Sequence, residues 1–153
     1  MSDSNRLRIR DLAADDAIAL LARNHVGRIA FSFHDRVDIE PIGYVYDDGW
    51  IYGRTTHGSK LATVRHNRWV AFQVDEVRSI LSWRSVVVHG GLYVMSERDT
   101  PADARGRERA ITLFRALDPD AFTEHDPVGF RDVLFRIATQ EIVGREAEME
   151  ADA

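Results

Sequence analysis

The chain is expected to fold as a mostly β, or α+β, domain: an antiparallel barrel, closed or half-closed, with helices packed outside. Three observations predict this. Residues Gly27 to His34 and Arg68 to Glu76 alternate apolar and polar side chains with the period of a strand. The first three strands follow one another through short turns, with no helix between them. Helical patterns fall at the two ends of the chain and at one crossing.

Taken in order, residues 1–10 read as a loose arm, 11–146 as the domain and 147–153 as a tail. Asp11 to Asn24 suits a helix that buries Leu12, Ile18 and Leu21 and wets Asp15 and Asp16. Gly27 to His34 sets Ile29, Phe31 and Phe33 against Arg28, Ala30 and Ser32. A turn at Asp35-Arg36 leads to a second strand, Val37 to Tyr46, with Val37, Ile39, Pro41, Gly43 and Val45 on one side. Pro41 cannot donate a ladder bond, so that strand is expected to be bulged or unpaired there. Gly43 leaves room for a close approach to the backbone, and a simple bulge explains it equally. Asp48-Gly49 is a tight-turn signal before the aromatic and β-branched Trp50-Ile51-Tyr52. A short helix carrying Leu61 and Val64 follows, then the strand from Arg68 to Glu76 and a loop from Val77 to Ser82. Trp83 to Arg98 is a long strand, bent at Gly90-Gly91. Pro101 opens a helix whose apolar face is Ile111, Leu113, Phe114 and Leu117, and Asp118-Pro119 stops it. After a loop, Val133 to Arg145 is a final strand.

Composition narrows the function. The 153 residues fit one domain, and the net charge is −5 with basic residues scattered among acids, which does not suit a nucleic-acid surface. There is no cysteine, so disulfides and thiolate chemistry are excluded. No apolar run approaches the roughly 20 residues of a membrane span, and the polar start lacks an apolar signal core, so a soluble cytoplasmic protein is expected. The six histidines show no HExxH or HxH spacing, so no metal site is expected. No GxSxG is present, nor GxxxxGK[ST], nor GxGxxG.

One stretch gathers chemistry. Arg54-Thr55-Thr56-His57-Gly58-Ser59-Lys60 brings hydroxyls and cations to the start of the short helix, where unpaired N–H groups and the helix dipole favour an anion. A phosphate fits there. The same residues also suit an ordinary cap by Thr56 or Ser59, with Lys60 a solvated side chain.

The sequence runs VGRIAF, a strand with a central proline, YDDGWIYGRTTHGSKLATVRHNRWVAFQVDE, WRSVVVHGGLYVM and LFRIATQEIVGR. In order and spacing these resemble the pyridoxamine 5′-phosphate oxidase-like family of FMN-binding split β-barrels, in particular its nitroimidazole-resistance-type subgroup. The resemblance covers about Leu12 to Arg145. It implies a six-stranded split barrel and a homodimer with two flavin sites at the subunit interface. On the positions that match, Pro41, Ile42 and Gly43 would run along the flavin ring. Thr55, Thr56, Ser59 and Lys60, with Arg54, would meet the phosphate. Gln73 and Val74 would lie by the ribityl chain and ring, and Trp83 and Ser85 would come from the partner subunit. Relatives of the subgroup often carry histidine where this chain has Arg54, which puts any chemistry needing that histidine in doubt. The chain also lacks the C-terminal segment with which pyridoxamine phosphate oxidases hold their substrate.

Two classes of function are therefore expected. One is an FMN-dependent oxidoreductase acting on a small molecule, with the deazaflavin F420 as an alternative cofactor. The other is a non-catalytic protein that holds flavin or haem. A flavin carries its own redox chemistry, which accounts for the lack of an obvious acid–base constellation.

Overall fold

The predicted alternation becomes a set of strands in which two are shared between sheets. The structure is a computed structural model and describes residues 6–150 except 57, 60, 62–68 and 97–99. Its elements are β1 (Leu7–Asp11), α1 (Ala14–Arg23), β2 (Val26–Phe33), β3 (Arg36–Asp47), β4 (Trp50–Thr55), β5 (Trp69–Ser79), β6 (Ser82–Met95), α2 (Pro101–Leu117), β7 (Val133–Ala138) and β8 (Glu141–Met149). Among the described residues all strand pairings are antiparallel. The ring runs β6-β5-β2-β3-β4-β7 and closes because β7 returns to β6; β8 and then β1 extend it from β6. This is the expected split barrel.

The split follows from the two long strands. β3 pairs with β2 through Arg36–Gly43 and with β4 through Tyr44–Asp47. β6 gives one edge to β5, while its other edge pairs with β8 over Trp83–His89 and with β7 over Leu92–Met95. The handover falls at Gly90 and Gly91, where the sequence predicted the bend. A Cβ on Gly90 would sit 1.6 Å from the Ala138 carbonyl oxygen, so only glycine lets the β7–β8 corner cross there.

The barrel interior is apolar. Ile29, Phe31, Ile42, Ile51, Phe72, Val74, Val86, Val88, Leu92, Phe135 and Ile137 fill it, and Ala17, Leu20 and Leu21 of α1 close one end. Leu20 replaces the expected Ile18, which is only half-buried. The buried Tyr44 hydroxyl donates to the Leu21 carbonyl at 2.6 Å, tying α1 to β3. On the outer side, α2 packs Ala110 against Tyr52, Met95 and Leu134. Its start is capped by Thr100, whose side chain accepts from the Asp103 N–H at 3.0 Å.

Five expectations need correction, the first at Pro41: β3 passes through it in unbroken register with β2, Pro41 opposite Arg28, with no bulge. The arm over residues 1–10 contains β1, and β8 continues past residue 146 to Met149. Ion pairs join these two strands, Arg8 to Glu150 and Arg10 to the buried Glu146, and apolar periodicity does not register such pairs. The final strand is two strands, because Thr139 donates to the Gly49 carbonyl and Gln140 accepts from the Gly91 N–H at 2.7 Å, fixing a corner. The first hairpin turns at His34-Asp35, both at positive φ (50° and 61°), as at Asp48-Gly49 (44° and 83°). The expected loop 77–82 is a tight hairpin between β5 and β6.

Gly90→Ala is expected to lower the melting temperature by roughly 4–8 °C through the clash with the β7–β8 corner. Thermal unfolding followed by circular dichroism checks this; a change of under about 1 °C would mean the corner can move aside.

Candidate functional site

Strand parity sorts the candidate residues. On β3, Ile42 points into the core while Pro41 and Gly43 are exposed on the outer face. On β5, Val74 is buried in the core and Gln73 faces outward, half-buried. Trp83 and Ser85 on β6 share the outer face, opposite Val77 and Asp75 of β5. The registers place Pro41, Arg28, Gln73 and Val87 in one row across four strands. Pro41, Gly43, Gln73, Trp83 and Ser85 therefore come together on one surface. Ile42 and Val74 can offer it only main-chain atoms.

That surface is polar in its middle. The Gln73 amide donates to Asp75 Oδ2 at 3.2 Å and to Ser85 Oγ at 3.1 Å. Arg28, for which the sequence carried no site signal, lies 3.8 Å from Asp75. Around this patch stand exposed apolar side chains: Val37 (80%), Ile39 (66%), Val77 (64%) and Trp69 (54%). Gly43 leaves its backbone open, since a Cβ there would meet nothing closer than the His25 carbonyl at 3.8 Å.

The Arg54–Lys60 stretch divides. Arg54 and Thr55 belong to β4, not to a loop. Thr55 is buried at the strand end, and its hydroxyl lies 3.0 Å from that of Ser59. The Ser59 N–H donates to the Thr56 carbonyl, and Gly58 takes φ +83° in the turn between them. Thr56 is exposed. Lys60, His57 and the expected helix beyond Leu61 lie outside the described residues.

Arg54 has another occupation than an anion. Its side chain is 8% exposed and makes a 2.7 Å ion pair with Asp126. Nε donates to the Arg131 carbonyl at 2.9 Å, and the guanidinium lies 4.0 Å over the Phe122 ring. Asp126 also accepts from the N–H groups of Phe122 (2.7 Å) and Val128 (3.0 Å), holding Phe122 at φ 61°. The Arg54 hydrogen bond, opposed by burial and helped by the two N–H groups, brings the Asp126 carboxyl down to about 2. The pair thus pins the 118–132 segment to β4. Nothing in the sequence links positions 54 and 126, because the segment between α2 and β7 has no period. Beneath it is a cavity of about 180 Å³ lined by Gly43, Arg54, Phe114, Leu117, Val128 and Arg131, among others. It adjoins the open face through Gly43.

The arrangement offers amide, hydroxyl and main-chain groups on an apolar surface, as suits a planar organic cofactor with an anionic tail. Among the described residues no cluster of three or more metal-ligating side chains forms, and no helix is long and apolar enough to cross a membrane. A sheet split between two shared strands, with its polar patch on an open face, defines the class; the family model described as pyridoxamine 5′-phosphate oxidase matches residues 13–146. The chain belongs to the pyridoxamine 5′-phosphate oxidase-like family. A FAD-binding protein of Mesorhizobium loti is 29% identical, with a TM-score of 0.72 over 94% of this chain and 99% of that one. The FAD-binding protein of Mycobacterium smegmatis is 24% identical, with a TM-score of 0.64 over 90% and 98%. A candidate 5-nitroimidazole antibiotic resistance protein of Bacteroides thetaiotaomicron is 14% identical with a TM-score of 0.69 over 97% and 93%, a likeness of fold alone. Among curated proteins none matches.

Asp126→Asn leaves a buried guanidinium without its counter-charge and is expected to cost about 3 kcal/mol at pH 7. The native carboxylate is held below its ordinary value, so its contribution is complete above pH 3.8 and is lost as pH falls toward about 2. Denaturant unfolding at several pH values should show a steeper acid loss in the native chain than in Asp126→Asn. Equal slopes would contradict the pairing.

Proposed function

We propose that this chain is an FMN-binding oxidoreductase acting on a small molecule, with its flavin held between two copies of the chain. The observation that carries this reading is the open face of β3, β2, β5 and β6: exposed apolar side chains surround a polar patch that includes Gln73 and Ser85, two residues the family resemblance assigns to the cofactor. Apolar area of this kind is ordinarily covered by a partner, and a twofold interface would bring Trp83 and Ser85 of one copy to the other's site. The FAD-binding description of the Mesorhizobium loti protein supports a flavin rather than another ligand.

The donor set fits a flavin. Gly43 and the main chain at Pro41 and Ile42 admit a flat ring against β3. Gln73 of one copy and Ser85 of the other would supply hydrogen-bonding groups at its polar edge. The Thr55 and Ser59 hydroxyls, with Lys60, would take the phosphate; Arg54 is committed to Asp126 and lends it little net charge. When bound, a flavin supplies electron and hydride transfer, and the chain's part is to orient it and exclude water. The ring and first phosphate are common to FMN and FAD, so both belong in the test, with F420 as the alternative within the same class.

The purified protein is expected to show flavin absorbance, or to acquire it on adding FMN or FAD, more strongly than on adding F420 or haem. Lys60→Ala should weaken FMN binding roughly ten- to hundred-fold by removing a charge-assisted contact, measured by flavin fluorescence. Unchanged affinity would return Lys60 to the solvated class. Dilution toward the dimer dissociation constant should release the flavin, and Trp83→Ala should weaken association and flavin binding together. A monomer that keeps its flavin on dilution would contradict the interface reading.

A further inference from the structure

We propose that the groove between α2 and the β4–β7 strands is a second ligand site, built for a phosphate-type oxyanion. It has a volume of about 280 Å³ and is lined by Tyr52, Ala102, Arg105, Gly106, Arg109 and Arg136. It lies on the α2 side of the barrel and contains none of the residues assigned above to the flavin.

Three cations line this groove, and among the described residues two of them have no carboxylate partner. Arg109 is occupied, donating to both Asp47 oxygens at 3.0 and 3.1 Å. Arg105 is exposed on α2, and among the described residues no carboxylate pairs with it or with Arg136. Arg136 is held in place by stacking and packing rather than by a carboxylate of the described residues. Its guanidinium lies 4.0 Å over the Trp50 ring, and a Cβ on Gly106 would come within 3.1 Å of its Nη1. Trp50 in turn packs edge-on against Tyr93, which pairs with Arg136 across the sheet. The Arg136 Nε is buried with no hydrogen-bond partner.

Such an arrangement is unfavourable unless something occupies it. A guanidinium offers five donors, and leaving them unmet in a partly buried setting costs stability. Arg105 and Arg109 stand four apart on one helix face, a like-charge spacing that works against the helix. A tetrahedral oxyanion relieves both: it accepts from more than one guanidinium and offsets their repulsion. Ring stacking and Gly106 fix Arg136 beforehand, so little side-chain freedom is lost on binding. Tyr52, on the same wall, adds an aromatic surface and a hydroxyl.

The test is a titration of the flavin-free, full-length protein with inorganic phosphate at constant ionic strength, following the arginine Nε–H signals by nuclear magnetic resonance. Phenyl phosphate forms a second arm. The expected result is saturable movement of the Arg105 and Arg136 signals, with that of the exposed Arg145 unmoved. Arg105→Gln, a change at an exposed helix position, should weaken the response about ten-fold. Tighter binding of phenyl phosphate would identify a phosphorylated aromatic molecule as the ligand class, and equal binding would identify the free ion. Arg136→Gln should abolish the response of the Arg105 signal, and its melting curve shows whether it is folded. Non-saturable shifts, shifts matched by chloride, or an unchanged response in Arg105→Gln would overturn the proposal. The outcome is independent of flavin binding, which Lys60→Ala probes separately.

Discussion

A strand edge has one row of hydrogen-bonding groups; β6 asks one such row to serve two partners, and β3 passes its pairing from one edge to the other. β6 gives the same edge first to β8 and then to β7. The edge of β3 that faces β2 ends its pairing at Gly43, and pairing with β4 starts at Tyr44. The sheet can close into a ring only if both strands turn where their partners change. Gly90 permits the turn in β6, since any side chain there would occupy the Ala138 carbonyl. The closed barrel, the crossing of the β7–β8 corner and the position of α2 all depend on these handovers.

The same geometry decides what remains outside. Closing the ring buries one side of every strand; among the described residues no helix covers the outer face that carries Val37, Ile39, Gln73 and Trp83, whereas α2 packs over β4, β7 and the Met95 end of β6. Apolar residues on that bare face, Val37 and Ile39 among them, serve no purpose in a lone barrel. The 118–132 segment borders the face and has no regular structure to hold it. A single buried ion pair, Arg54 to Asp126, with the N–H groups that Asp126 accepts, does so instead. This makes Arg54 a structural cation at the rim of the site, and it explains physically why arginine can stand there: its charge is consumed by the segment it anchors.

Much of this was legible in the residues. The strands from β2 to β6, the bend at Gly90-Gly91 and the helix that opens at Pro101 follow from period, turn chemistry and proline placement. Pro41, Gly43, Gln73, Trp83 and Ser85 share one face of the sheet, a grouping that strand parity accounts for. The failures have one physical root: polar contacts over long separations leave no periodic trace. β1 is joined to β8 by arginine–glutamate pairs, the β7–β8 corner is fixed by Thr139 and Gln140, and Arg54 meets a carboxylate far along the chain. Ile42 and Val74 show the other limit. Adjacent residues on a strand point to opposite faces, so a motif match carries over a backbone position without carrying over a side-chain role.

The central claim is that the open face is at once the interface between copies and the seat of the cofactor. Placing a charge at its apolar part tests both at once. Ile39→Arg, two-thirds exposed in the single chain, should leave the barrel folded. Light scattering and flavin absorbance recorded together on the eluting variant should then find a monomer without flavin. A folded variant that still elutes as a dimer, or as a monomer that carries flavin, would contradict the account.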